Sequence, residues 1–220
     1  MKRLLLLFFV LVFLAGCASR PAPEWIGASY NHLESFKRHY LRGDEILAEK
    51  SFQRALEEIR TSGDIDAMAK ACLVRFAVRT AVLEAFDDRE YLRLSTLRSS
   101  LPHLDYYSFL KGSFAEVAAD RLPVQYRPFL KALLKGDPGD IEREAIRIED
   151  PLSRLIAAGL IVRDRQASEQ LLNGAIETAS QQGWKKPLLA YLKKLERYYD
   201  SVKETSKAAE VRKRLEWIGQ

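Results

Sequence analysis

Apolar residues recur at helical spacing from residue 26 to the end of the chain, and stop-and-cap signals interrupt them at short intervals. The interruptions are Gly43-Asp44, Ser62-Gly63-Asp64, Asp87-Asp88, Gly136-Asp137-Pro138 and Asp150-Pro151. Glycine ends a helix at little cost because it enters the left-handed region freely, and aspartate accepts an orphan N–H of the next helix. Proline is tolerated at the first helical position, where no N–H is needed. No run of four or more residues alternates apolar with polar, so nothing competes as a strand. The pattern predicts about ten short helices, over 26–41, 45–60, 65–86, 89–98, 103–111, 124–135, from 138, over 151–163, 168–181 and 187–199, and then a last one. Ser201-Val202-Lys203-Glu204 reads as a capping box opening that last helix.

The 220 residues suffice for one body with a real core, and 47% of them are apolar. Thirty-five Lys and Arg against 30 Asp and Glu exclude a one-signed disordered tail protein. Two cysteines cannot build a disulfide scaffold or a four-thiolate zinc site.

The start of the chain has a different character. Lys2 and Arg3 precede an unbroken apolar run, Leu4 to Ala15. As a helix that run spans about 18 Å, short of the ~30 Å hydrocarbon core of a bilayer, so it reads as a signal peptide. It ends in Leu14-Ala15-Gly16-Cys17, which resembles the lipobox of bacterial lipoproteins. The alternative is an ordinary signal peptide in which Cys17 is incidental. The resemblance implies cleavage of residues 1–16 and a covalent diacylglyceryl and N-acyl lipid on Cys17; no other cofactor is expected. Ala18 stands where inner-membrane retention would place Asp, so the resemblance implies the periplasmic face of the outer membrane. Residues 17–25 form the lipidated tether, with Pro21 and Pro23 keeping it extended. Trp25 and Ile26 either pack on the first helix or lie at headgroup level. Residues 26–220 form the helical domain. The mature chain has 33 Lys and Arg against 30 Asp and Glu, a net +3, and both charge and compartment argue against a nucleic-acid partner. Cys72, flanked by Ala71 and Leu73, is then the one thiol left and reads as a small core residue.

Gly43-Asp44 followed by Ala48, Phe52, Ala55 and Leu56 resembles the turn and second helix of a tetratricopeptide repeat. Small residues at 48 and 55 let helices approach, and the ring at 52 fills the space between them. Ser35 and Phe36 depart from the family, which has Leu and Gly there, and Arg60 replaces its closing Pro. A second partial match covers 188–218, with Leu192, Leu195, Tyr199 and Ala208 at family positions and Arg212 in place of its later aromatic. The fold expected is all-α: antiparallel helix pairs, as a tetratricopeptide-like right-handed superhelix or an irregular helical array. Lipobox and repeats together resemble Gram-negative lipoproteins that serve as adaptors in envelope assembly or secretion. The resemblance implies a non-catalytic scaffold for unidentified envelope proteins.

Catalytic and cofactor motifs are scarce. The chain lacks G-x-G-x-x-G, a P-loop, H-E-x-x-H, C-x-x-C and G-x-S-x-G. Ser108-Phe109-Leu110-Lys111 matches S-x-x-K, but no Lys-Thr-Gly accompanies it. His32 and His39 lie two helical turns apart, about 10 Å, too far for one metal ion. The basic run Lys185-Lys186 to Lys193-Lys194, with Arg197, reads first as a solvated face over an apolar stripe and second as a docking face for an acidic partner or lipid phosphates. The surface expected to meet a partner is Tyr30, His39 and Tyr40 of the first repeat, with Tyr191 and Tyr198 near the C-terminus. Two other functions stay open: an envelope hydrolase acting on peptidoglycan, and a structural lipoprotein without a specific partner.

Overall fold

The computed structural model describes residues 23–164 and 167–219. The leader, Cys17 and nearly all of the tether lie outside the described residues. Among the described residues the chain is all-α, an array of eleven α-helices with three short 3₁₀ turns and no strand. They are α1 (Glu24–Arg42), α2 (Glu45–Ser62), α3 (Ile65–Ala81), α4 (Arg89–Leu97), α5 (Leu101–Lys111), α6 (Arg127–Lys135) and α7 (Pro138–Ile146), followed by α8 (Pro151–Asp164), α9 (Glu169–Gln181), α10 (Lys185–Ser201) and α11 (Thr205–Gly219). Trp25, expected at the end of the tether, belongs to α1 and packs against the core.

α1 and α2 form a hairpin through Gly43, whose φ of 95° lets the Gly43 and Asp44 N–H groups close the last turn of α1 onto Tyr40 and His39. Ala48, Phe52, Ala55, Leu56 and Ile59 are buried along α2 as their spacing predicts, and the Phe52 ring lies 5.1 Å from that of Phe36. Asp64 caps α3 by accepting the Ala67 N–H at 3.0 Å.

Two helices are buried nearly all round and form the centre. On α3 these residues are Met68, Ala69, Ala71, Cys72, Leu73, Phe76, Ala77, Val78, Thr80 and Ala81, and on α8 Leu155 through Val162. They cross where Gly159 meets Thr80: a Cβ on Gly159 would lie 3.1 Å from the Thr80 carbonyl carbon and closer still to its oxygen. The hairpin α1–α2 and helices α4 and α5 pack on α3, while α7 and α9 pack on α8. Helices α9, α10 and α11 follow in series, and α10 returns to pack against α1. The N-terminal hairpin and the C-terminal helices are therefore neighbours.

Three local expectations are corrected. The third helix stops at Ala81, not 86, because Leu83 takes a left-handed conformation (φ 62°), with Leu83 and Glu84 donating back to Thr80 and Arg79. This is the C-terminal motif usually marked by glycine, and leucine hides it from sequence. The supposed capping box is absent: Ser201 ends α10 with its hydroxyl on the Tyr198 carbonyl, and Lys203, at φ 63°, makes the turn. Residues 124–126 form a 3₁₀ turn before α6, not its first turn.

Between α5 and α6 the chain folds around a buried carboxylate. Asp105 is 4% exposed, accepts the Ala118 N–H at 3.1 Å and pairs with Arg121. Burial alone would raise its pKa, but the Arg121 guanidinium and the Ala118 N–H outweigh it and hold the carboxyl below its ordinary value. A depressed carboxylate pKa stabilises the fold above the ordinary value, and that contribution fades as pH falls through the depressed one. Asp105→Asn is expected to cost about 2 kcal/mol at pH 7. Urea melts should show its gap to wild type steady from about pH 5 to 8 and narrowing below about pH 4. A gap that widens in acid would contradict this assignment.

Candidate functional site

The five residues expected to meet a partner do not share one surface. Tyr30 is 61% exposed on α1. His39 is half-buried, its Nδ1 3.7 Å from the Asp44 carboxylate. Tyr198 is half-buried and borders a shallow hollow with Pro138, Gly139, Glu142 and Ser168. Tyr40 and Tyr191 belong to the core instead. Tyr191 is completely buried and its hydroxyl donates to the Leu155 carbonyl at 3.0 Å, which ties α10 to α8. It falls on the same stripe as Leu188, Leu192, Leu195 and Tyr199, and a phenol with an internal acceptor is buried at little cost.

Tyr40 instead opens onto a charged cluster that joins four parts of the chain. Its hydroxyl donates to Glu84, in the segment after α3. Lys186, in the first turn of α10, donates to Glu45 of α2 at 2.7 Å and lies 2.9 Å from Glu84. Its ammonium also sits 3.8 Å from the Tyr40 ring centroid, a cation–π contact. Arg79 approaches Glu84 at 3.6 Å from the other side. Burial pushes the Tyr40 phenol up, and Glu84 adds to the rise. Burial would lower the Lys186 pKa, but its bonds to Glu45 and Glu84 more than reverse that. The expected solvated face is thus corrected at Lys186, whose side chain is only 16% exposed. Two lysines in a helix's first turn oppose the helix dipole. That was the sequence signal that an acidic partner waits elsewhere.

Beside this cluster the chain leaves a hollow of about 450 Å³ between residues 83–86, α8 and α10. Thr80 and Gly159 line it where α3 and α8 cross, and Leu83, Ala85, Phe86 and Val162 supply apolar wall. Glu84, Lys111, Arg163 and Lys194 are its charged lining. The Phe86 ring is fixed by stacking on Phe76 at 4.3 Å. Lys111 Nζ bonds Asp88 at 3.0 Å, and Arg163 donates to the Leu110 carbonyl at 2.8 Å and to Asp164 at 2.9 Å. Lys194 pairs with no carboxylate among the described residues. Apart from Lys111 of the S-x-x-K string, none of these cavity residues carries a motif, because they converge from four separate parts of the chain; the bend at Leu83 carries no glycine.

The remaining chemical candidates are accounted for structurally. Lys111 of the S-x-x-K string is turned to Asp88 and also lies 5.7 Å from the Phe86 ring centroid. Cys72 is buried, and burial pushes its thiol up to about 12, so it does not ionise near neutral pH. Among the described residues no group of three or more His, Cys, Asp or Glu side chains is arranged to hold a metal ion, and no helix is long and apolar enough to cross a membrane. No family model, curated protein or solved structure matches this chain.

Proposed function

We propose that this protein is a lipoprotein of the outer membrane, held at its periplasmic face by acyl chains on Cys17, and that it works as a non-catalytic scaffold for envelope proteins. The observation that carries the reading is Leu14-Ala15-Gly16-Cys17 standing just ahead of an all-α body whose first helix begins at Glu24. Seven residues of extended chain reach at most about 25 Å, so the body would stay at the bilayer surface. Two or more acyl chains make such an anchor stable where one does not. Burial of Ala48, Phe52, Ala55 and Leu56 between α2 and its neighbours supports treating α1–α2 as a tetratricopeptide-like unit. Exposed Tyr30, Ile46 and Leu47 on that hairpin supply apolar surface for a partner.

Cys17→Ser is expected to move the protein from the membrane fraction to the soluble periplasm, or to leave the leader uncleaved. Mass spectrometry of the wild-type amino terminus should show acyl groups. Normal processing with unchanged fractionation of the variant would defeat the anchor. For the scaffold reading, a photo-crosslinker at Tyr30 should capture one dominant envelope protein in cells. Release of muropeptides by the purified protein, abolished by changing a single carboxylate, would replace it with the hydrolase reading.

A further inference from the structure

We infer that the hollow between residues 83–86, α8 and α10 is a binding site for an amphipathic anion, a small molecule with an apolar body and a carboxylate or phosphate at one end. The inference is independent of the lipid anchor and rests on the shape and charge of the cavity alone. Its volume, about 450 Å³, lies within the ~300–1,000 Å³ of small-molecule pockets. Its apolar wall (Leu83, Phe86, Val162) is held by contacts made elsewhere, with Phe86 stacked on Phe76, so it stands ready without a ligand. Preformed walls avoid the ordering cost of binding.

The charge is lopsided. Three cations line the hollow against one carboxylate, and that carboxylate, Glu84, is already engaged by Tyr40, Lys186 and Arg79. Lys111 and Arg163 are neutralised by Asp88 and Asp164, neither of which lines the hollow, while Lys194 has no acidic partner among the described residues. A half-enclosed site with an excess of positive charge beside apolar wall concentrates anions. Lys194 supplies the charge that meets the acid group, with Arg163 beside it. Leu83, whose left-handed conformation ends α3, turns residues 84–86 into this wall.

The test is displacement of the fluorophore 1-anilinonaphthalene-8-sulfonate from the purified protein by decanoate, decyl phosphate and decanol. Saturable one-to-one displacement is expected for an anion with a Kd of about 0.1 mM. Preference between decanoate and decyl phosphate assigns the acid group as carboxylate or phosphate. Lys194→Glu should weaken binding about tenfold or more. Ala85→Trp, at the exposed rim, should block it while circular dichroism stays that of wild type. Lys213→Glu makes the same charge change on the exposed side of α11 and should leave the Kd within about twofold. Failure of both anions to displace the fluorophore, decanol binding as tightly as decanoate, or equal losses in the Lys194 and Lys213 variants would each overturn the site.

Discussion

Gly159→Ala should destabilise this protein by about 3 kcal/mol, although alanine is the better helix former by nearly 1 kcal/mol. The added methyl would overlap the Thr80 carbonyl, with the Thr80 Cγ2 also 3.5 Å away. The obstacle is backbone in the middle of a buried helix, not the free end of a flexible side chain. Relief therefore means sliding α8 off α3 and loosening the contacts of both central helices. Gly174, in α9, provides the opposite sign: a Cβ there meets nothing within 4 Å. Gly174→Ala should raise stability by up to about 1 kcal/mol through propensity alone. Urea unfolding followed by far-ultraviolet circular dichroism measures both, and equal shifts in the two variants would rule out the close crossing.

Phe109→Ala is expected to cost about 4 kcal/mol. The ring is completely buried at the hub of an aromatic group, with Tyr126 at 5.0 Å, Phe114 at 6.0 Å, Phe129 at 6.1 Å and Tyr106 at 6.2 Å between centroids. Its neighbours come from α5, a 3₁₀ turn, another 3₁₀ turn and α6, so no single element can collapse into the space left behind. Irregular turns contribute few backbone bonds of their own, and this cluster, together with Asp105 and its bonds to Ala118 and Arg121, fixes them to α5. The loss should thus appear as lower stability together with faster amide exchange across residues 113–126. A cost under about 1 kcal/mol would mean that the site refills and the hub is not one.

The parts of the fold legible in sequence are those governed by local chemistry. Gly43, Gly63, Gly112, Gly136 and Gly183 all take positive φ, and the helices predicted to end at Gly43, Gly63 and Gly136 do end there. The apolar spacing of α2 marks Ala48, Phe52, Ala55, Leu56 and Ile59, all buried, but also Leu47, which is 49% exposed. Legibility failed where distant chain decides. Leu83 bends the backbone without a glycine, and Glu84 and Phe86 then belong to contacts with Tyr40, Lys186 and Phe76, which no pattern in 65–86 foretells. Tyr191 and Tyr30 occupy similar helical patterns, yet one is core and the other surface, because only Tyr191 has a neighbouring helix above it. The cavity was invisible for the same reason: its lining comes from 80–86, 111, 159–163 and 194, and no two of those segments form a motif.

The bond from Lys186 to Glu45 joins positions 141 residues apart. A chain that emerges amino terminus first can form the α1–α2 hairpin from local contacts, but it must wait for most of the remaining sequence before that hairpin is latched. Contacts of such long span close late, after their loop entropy is compensated by other packing. Any truncation before Lys186 would leave the hairpin held by α3 alone, with Tyr40 and Glu84 deprived of the Lys186 ammonium. The last quarter of the chain thus supplies the second of the two supports, after α3, against which the first hairpin rests.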